Sequence, residues 1–169
     1  MMIHLFHEAG SGPYAQLHCG HKVMRAVIGR NGLTTRKQEG DLCTPVGTFA
    51  LRQVYFRADR LPAPRTSLPL AALSPHDGWC DDPHSPLYNQ LVRLPCPDRH
   101  EELWKADSIY DLIVVIGYND DPARPSAGSA IIMHLQRPNL SLTEGCVALE
   151  KADLLHVLQA GAKAITIHP

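Results

Sequence analysis

Short apolar runs separated by turn residues fill this chain, and no long helical period survives between them. Ile3 to His7 reads as an opening strand. Val23 to Ile28 reads as another, with Gly20 marking a turn ahead of it and Gly29 ending it. In Thr48 to Phe56 the large apolar side chains Phe49, Leu51 and Tyr55 share one parity and Arg52 takes the other, as in a half-buried strand. Leu112 to Tyr118 (LIVVIGY) is continuously apolar and rich in β-branched residues, as expected of a central strand. Ser129 to His134, Gly145 to Leu149 and Ala164 to His168 complete the expected β content. One segment carries a helical period, Lys151 to Ala160, with Leu154, Leu155 and Leu158 on one face, Asp153 in the first turn and Gly161 at the C′ position. Glu101 to Lys105 reads as a short helical turn. Residues 57–100, crowded with prolines and polar side chains, read as a long excursion with little regular structure, a kind of segment that is usually functional.

Composition adds limits to this pattern. The 169 residues include 14 prolines and 12 glycines, which favours short strands and loops in one mainly β domain spanning 1–169. Lys and Arg number 16 against 17 Asp and Glu, so the chain lacks the basic excess of a nucleic-acid-binding protein. No run approaches the roughly 18 to 20 apolar residues of a membrane helix, so no membrane insertion is expected. The start, Met1 to Glu8, has no basic region followed by a long apolar one. A cytoplasmic protein is therefore expected if the chain is full length, and a periplasmic one if a signal peptide has been removed. Cys19, Cys43, Cys80, Cys96 and Cys146 are odd in number and form no Cys-x-x-Cys, so at least one thiol is free unless it pairs between chains.

The candidate chemistry concentrates in residues 128–149, GSAIIMHLQRPNLSLTEGCVAL. A strand delivers His134 at its end, a loop broken by Pro138 follows, and the chain returns through Thr143 and Glu144 to Gly145 and Cys146 at the start of another strand. A histidine closing one strand and a cysteine opening the next can face each other across a loop, as a thiol–imidazole pair requires. Gly145 removes a side chain beside the sulfur, so a carbonyl can approach with backbone N–H groups facing its oxyanion. Inert core cysteines are also common, so spacing alone leaves that reading open. A second segment, Lys37 to Phe49, holds a tight turn in which Asp41 and Thr44 can bond backbone groups. A third, Gly78 to Asn89, is either a packed loop or a cleft wall with an exposed Trp79 beside Asp81 and Asp82. The histidines do not make a metal site, because His76, Cys80 and His84 converge only on a helix that Pro75, Gly78 and Pro83 disfavour.

These segments, in this order, resemble the YkuD-type L,D-transpeptidase catalytic domain family. The matching pieces are EGDLCTPVGTF at 39–49, GWCDDPHSPLYNQLV at 78–92, YDLIVVIGYND at 110–120, GSAIIMH at 128–134 and TEGCVAL at 143–149. The resemblance implies a β-sandwich with a few short helices and the cysteine in a cleft. It implies action on peptidoglycan stem peptides or muropeptides without metal or organic cofactor. In such enzymes the cysteine attacks the carbonyl of the third residue, often meso-diaminopimelate, and expels D-alanine. The thioester then passes to an amine, giving L,D-transpeptidation, or to water, giving L,D-carboxypeptidase action. Penem-type β-lactams commonly acylate the same cysteine.

Carried onto this sequence, the resemblance makes Cys146 the nucleophile and His134 the general base. The carbonyl of Leu135 orients the imidazole, and the N–H groups of Gly145 and Cys146 serve as oxyanion donors. Tyr118 and Asn119 flank the cleft, and Thr143 and Glu144 join them as substrate contacts. The common form runs Ser/Thr-His-Gly-Cys, an apolar residue, then Arg. Here Glu144 replaces the second histidine and Ala148 the arginine. A carboxylate close to the sulfur favours the neutral thiol. Arg137 is the candidate to supply the missing positive charge for a substrate carboxylate. No repeat or wall-anchoring module accompanies these motifs, which favours trimming of soluble muropeptides, as in cell-wall recycling. The alternative from another class is a non-catalytic muropeptide-binding module on the same fold.

Overall fold

A computed structural model describes residues 1–169. The chain opens with β1 (Met2–Phe6), β2 (Tyr14–Cys19) and β3 (Lys22–Val27). The short β4 (Leu33–Thr34) and β5 (Thr44–Pro45) lead to the longest strand, β6 (Gly47–Phe56). Next come β7 (Leu70–Ala72), β8 (Asp77–Cys80), β9 (Leu91–Arg93) and β10 (His100–Glu102). The last part holds β11 (Leu112–Ile116), β12 (Ile132–Leu135), β13 (Val147–Leu149), the helix α1 (Lys151–Gln159) and β14 (Ala164–Ile167).

Nine strands form one sheet in the order β11-β12-β13-β3-β2-β1-β14-β6-β7. A further pairing of β11 with β6 closes that sheet on itself, leaving β7 as an appended strand. Within the closed sheet β1 lies parallel to β14, with Ile3 beside Ile165, so the first and the last of these strands are neighbours. The enclosed core takes Ile3, Leu5, Leu17, Met133, Leu149 and Ile165, all without solvent contact. The helix packs Leu154, Val157 and Leu158 into that core.

A second apolar cluster lies on the opposite face of β11 and β12, where Ile113, Val115 and Ile132 meet Leu73, Trp79, Leu103 and Tyr110. Leu112, Val114 and Ile116 belong to the main core, so β11 is buried on both faces. That double burial accounts for its unbroken apolar run, since neither parity can be polar without losing packing. Full burial of each such side chain contributes about 1.5–3 kcal/mol.

The structure departs from the pattern-based reading at five places. Residues 57–100 are not structureless: β8 pairs with β9 on one side and with β10 on the other, in a three-stranded sheet that covers the second cluster. These strands are only three or four residues long, too short for periodicity to register among the prolines. Glu101 lies in β10, opposite Trp79, rather than in a helical turn. In β6 the buried parity switches between Leu51 and Val54, where the register with β11 shifts between Val114 and Ile116. Finally β2, whose inward side chains are Ala15, Leu17 and Cys19, forms a hairpin with β3 across Gly20 and His21. On α1 the third buried position is Val157, while Leu155 stays at the edge of the core. Leu154→Ala is therefore expected to cost about 2–5 kcal/mol of unfolding free energy. Leu155→Ala should cost clearly less, and denaturant unfolding of the two variants checks this order.

Candidate active site

The residues around Cys146 owe their placement to close backbone packing. Gly145 adopts φ +132°, and a β-carbon there would lie 2.7 Å from the carbonyl oxygen of Cys43. Gly29 approaches the Leu42 carbonyl in the same way, with no room for a side chain. The Thr44 hydroxyl fastens these layers: it donates to the Gly145 carbonyl and accepts from the Gly29 N–H, both at 2.8 Å. Thr44 is fully buried, so both backbone groups depend on it for a partner. The expected turn bonds form at Asp41 instead, which accepts from the N–H groups of Gln38 and Cys43.

The strand register then sets the face. β12 and β13 run parallel, with His134 beside Ala148. Cys146 shares the parity of Ala148, so the thiol and imidazole project from one face. Strand spacing and rise put their α-carbons on the order of 8 Å apart. Loop 136–146 carries the chain back to start β13 beside β12.

His134 is buried, and its Nδ1 lies 2.9 Å from the carbonyl oxygen of Leu135. A carbonyl can only accept, so Nδ1 holds the proton and Nε2 carries the lone pair. The Tyr110 ring meets the imidazole edge-on, at 5.4 Å between centroids and 71° between planes. Tyr110 is itself held by a 2.7 Å hydrogen bond to Glu101. Burial lowers the His134 pKa to about 4, despite the favourable Leu135 carbonyl. Burial also pushes the Cys146 thiol up to about 12, reinforced by Glu101 and Glu144 and opposed by Lys37. At neutral pH both groups are therefore uncharged, and no thiolate–imidazolium pair forms at rest. The thiol donates to the Ala130 carbonyl at 3.2 Å.

Ala130 is positioned by Asn89. The Asn89 side-chain oxygen accepts from the Ala130 N–H and from Trp79 Nε1, each at 3.0 Å. Its NH₂ group donates to the carbonyls of Tyr118 and Asn119. Trp79 is accordingly a buried wall residue and not an exposed one. The Tyr88 hydroxyl donates to Glu39 at 2.6 Å and accepts from the Gly128 N–H at 3.0 Å, joining the same wall to the turn ahead of β6.

Cys146 and His134 open into a cleft of about 450 Å³. Glu39, Asp81, Glu101 and Glu144 line it together with the cations Arg30, Lys37, Lys105 and Arg137. Thr143 is also in the lining, but its hydroxyl is committed within the turn, donating to the Cys146 carbonyl at 2.7 Å and lying 3.3 Å from the Gly145 N–H. Of the two amides proposed for an oxyanion, Gly145 is thus engaged. The Cys146 N–H has no protein partner. Leu135 contributes its carbonyl, while its side chain lies in the main core.

Tyr118 and Asn119 do not line the cleft. Tyr118 packs edge-on against Phe49 and its hydroxyl donates to the Ala127 carbonyl. The Asn119 side chain donates to the carbonyls of Arg124 and Gly128 and accepts from the Arg124 N–H, stapling that loop. Both shape the wall from behind. Sequence reasoning missed Glu39, Glu101, Tyr110 and Arg30 as parts of the site, whereas Tyr88 and Asn89 belong to the segment it offered as a cleft wall. Several of them fall within the matched segments, but only the folded register brings them to Cys146.

The sequence model of the YkuD L,D-transpeptidase catalytic domain matches residues 19–163. The chain belongs to that family, whose L,D-transpeptidase activity is directed at peptidoglycan. No curated protein and no solved structure matches it.

Replacing Thr44 by the isosteric Val should cost about 2–5 kcal/mol, because two buried backbone groups lose their partner at once. Thr44→Ser should retain most of the stability, as read by denaturant unfolding. His134 supplies a second expectation. An unfolded imidazole binds a proton below about 6.5. The folded one refuses it until about 4. Stability conferred by burying neutral His134 is thus present above the unfolded value and is lost as pH falls through that window, by up to about 3 kcal/mol. Denaturation midpoints of wild type and His134→Gln at neutral pH and near pH 4 should show this extra acid sensitivity in the wild type only.

Proposed function

We propose that this protein catalyses cysteine-dependent L,D-acyl transfer on peptidoglycan stem peptides, with Cys146 as nucleophile and His134 as general base. The observation that carries the proposal is a thiol and an imidazole on one sheet face in a cleft, with Nδ1 pinned by Leu135 and Nε2 left as the base.

On substrate binding the thiol leaves the Ala130 carbonyl and passes its proton to His134 Nε2 as sulfur attacks the carbonyl carbon of the third stem residue, expected to be meso-diaminopimelate. The oxyanion takes the unpartnered Cys146 N–H. Collapse of the tetrahedral intermediate breaks the C–N bond. The imidazolium returns the proton to the departing D-alanine amine, leaving a thioester on Cys146. An amine or a water molecule then attacks the thioester, and His134 takes its proton and returns it to the sulfur. An amine gives the transpeptidase product and water gives the carboxypeptidase product.

The resting pair resembles a hydroxyl–imidazole system more than a preformed ion pair, since the thiolate develops only during attack. The mixed charges of the cleft suit a residue that carries an ammonium and a carboxylate together, as diaminopimelate does.

Mass spectrometry of a disaccharide tetrapeptide incubated with the protein tests the proposal. Loss of D-alanine, or its replacement by an added D-amino acid, is expected from wild type and absent from Cys146→Ala. A penem should add its mass to Cys146 in wild type alone. Unchanged substrate together with an unmodified Cys146 would instead indicate a muropeptide-binding module. The acid limb of kcat/KM should fall near pH 4, because His134 must be neutral to accept the proton. A limb near 6.5 would mean that the base is a more exposed imidazole.

A further inference from the structure

The four cations of the cleft are not equivalent. Lys37 is held by Asp41 at 2.5 Å and by the Gln38 carbonyl at 2.9 Å. Lys105 lies 3.5 Å from Glu101, over the Tyr110 ring. Arg137, the cation the sequence singles out, contacts Asp107 at 3.4 Å and Ser141 at 3.3 Å. Arg30 lines the same cleft and is exposed, and its guanidinium makes no ion pair, hydrogen bond or ring contact with the protein.

The backbone of Arg30 is nevertheless fixed. Its N–H donates to the Thr143 carbonyl at 2.9 Å, and Gly29, just before it, is locked by the Thr44 hydroxyl. Arg30 therefore starts from a rigid position beside the turn Thr143-Glu144-Gly145 that delivers Cys146. Ala148, beside His134, leaves that part of the site without a cation of its own. The acidic Glu101 stands on β10, in the sheet that covers the second cluster. A planar fork of donors with no partner in the protein suits bidentate binding of a carboxylate.

We propose that Arg30 is a specificity-determining residue that binds the C-terminal carboxylate of the stem peptide. This rests on the acyl-transfer reading above. In a tetrapeptide that carboxylate belongs to the residue that leaves, one residue beyond the carbonyl attacked by Cys146. Arg30 thereby selects stems that end at the departing D-residue over stems that continue past it. The contact is made in the ground state, so it acts on binding more than on the chemical step.

The test compares a disaccharide tetrapeptide with a free C-terminal carboxylate and the same compound with a C-terminal carboxamide. Affinities are measured by calorimetry in the Cys146→Ala background, with and without Arg30→Ala or Arg30→Lys, so that binding is read without turnover. Cys146→Ala should bind the acid about 10- to 100-fold more tightly than the amide, the range of a charge-assisted pair in a partly open site. Arg30→Ala should abolish that discrimination, Arg30→Lys should retain part of it, and Arg137→Ala should leave most of it. In the otherwise wild-type enzyme, Arg30→Ala should raise KM for the acid by a similar factor with kcat nearly unchanged. Discrimination that survives Arg30→Ala, or none in the Cys146→Ala parent, would overturn the assignment to Arg30. Turnover by wild type in the same series would show that the acyl-transfer reading stands regardless. Conversely, carboxylate discrimination lost with Arg30 but without any turnover would overturn the catalytic reading and leave a carboxylate-selective binding site.

Discussion

The Thr44 hydroxyl is the joint on which the site is assembled. It bonds Gly29 at the end of β3 and Gly145 just before β13, two backbone segments more than a hundred residues apart. Neither glycine can be larger, because the carbonyls of the 42–44 segment press against both. Three stretches of main chain therefore meet at van der Waals distance, with one buried hydroxyl satisfying the polar groups that their contact seals from water. From that joint the chain can go only one way into β13, and Cys146 falls on the face that also carries His134. Ala130, held through Asn89, receives the thiol proton from the other side.

The electrostatics follow from the burial that this packing creates. Closing the second cluster over β11 and β12 buries His134 and half-buries Cys146, and in both the charged form is disfavoured. The carboxylates of Glu101 and Glu144 act in the same direction on the thiol. Much of the charge on the cleft walls is tied down at Tyr110, Tyr88 and the turn at Asp41, while Arg30 stays without a partner. The interior stays uncharged while the rim is strongly polar, an arrangement that admits a zwitterionic peptide and reserves charge development for the reacting atoms.

Much of this was legible in the sequence because it depends on local chemistry. The apolar run of β11, the period of α1 and the placing of His134 and Cys146 beside strands all follow from short-range patterns. What escaped depends on pairing between distant segments. The parity switch in β6 is imposed by its register with β11, and the short strands β9 and β10 exist only because each pairs with β8 between them. Tyr118 and Asn119 look like site residues by their nearness to the matched motifs, yet they face the core and the Arg124–Gly128 loop. Arg30 gives no local signal, since what sets it apart is the lack of any partner for a cation that lines the cleft.

The seam between β1 and β14 also governs how the protein comes into being. A ribosome releases β1 well before β14, and the closed sheet needs them side by side. Until the final strand emerges, β1 has only β2 as a neighbour, and the opposite edge of the sheet, β6, lacks the β14 backbone that completes it. Such long-range pairing makes for slow folding, since much chain entropy is lost before the last contacts repay it. During synthesis two strand edges stay open at once, the condition in which nascent chains pair with one another. The arrival of β14 covers both edges at once, because it pairs with β1 on one side and with β6 on the other.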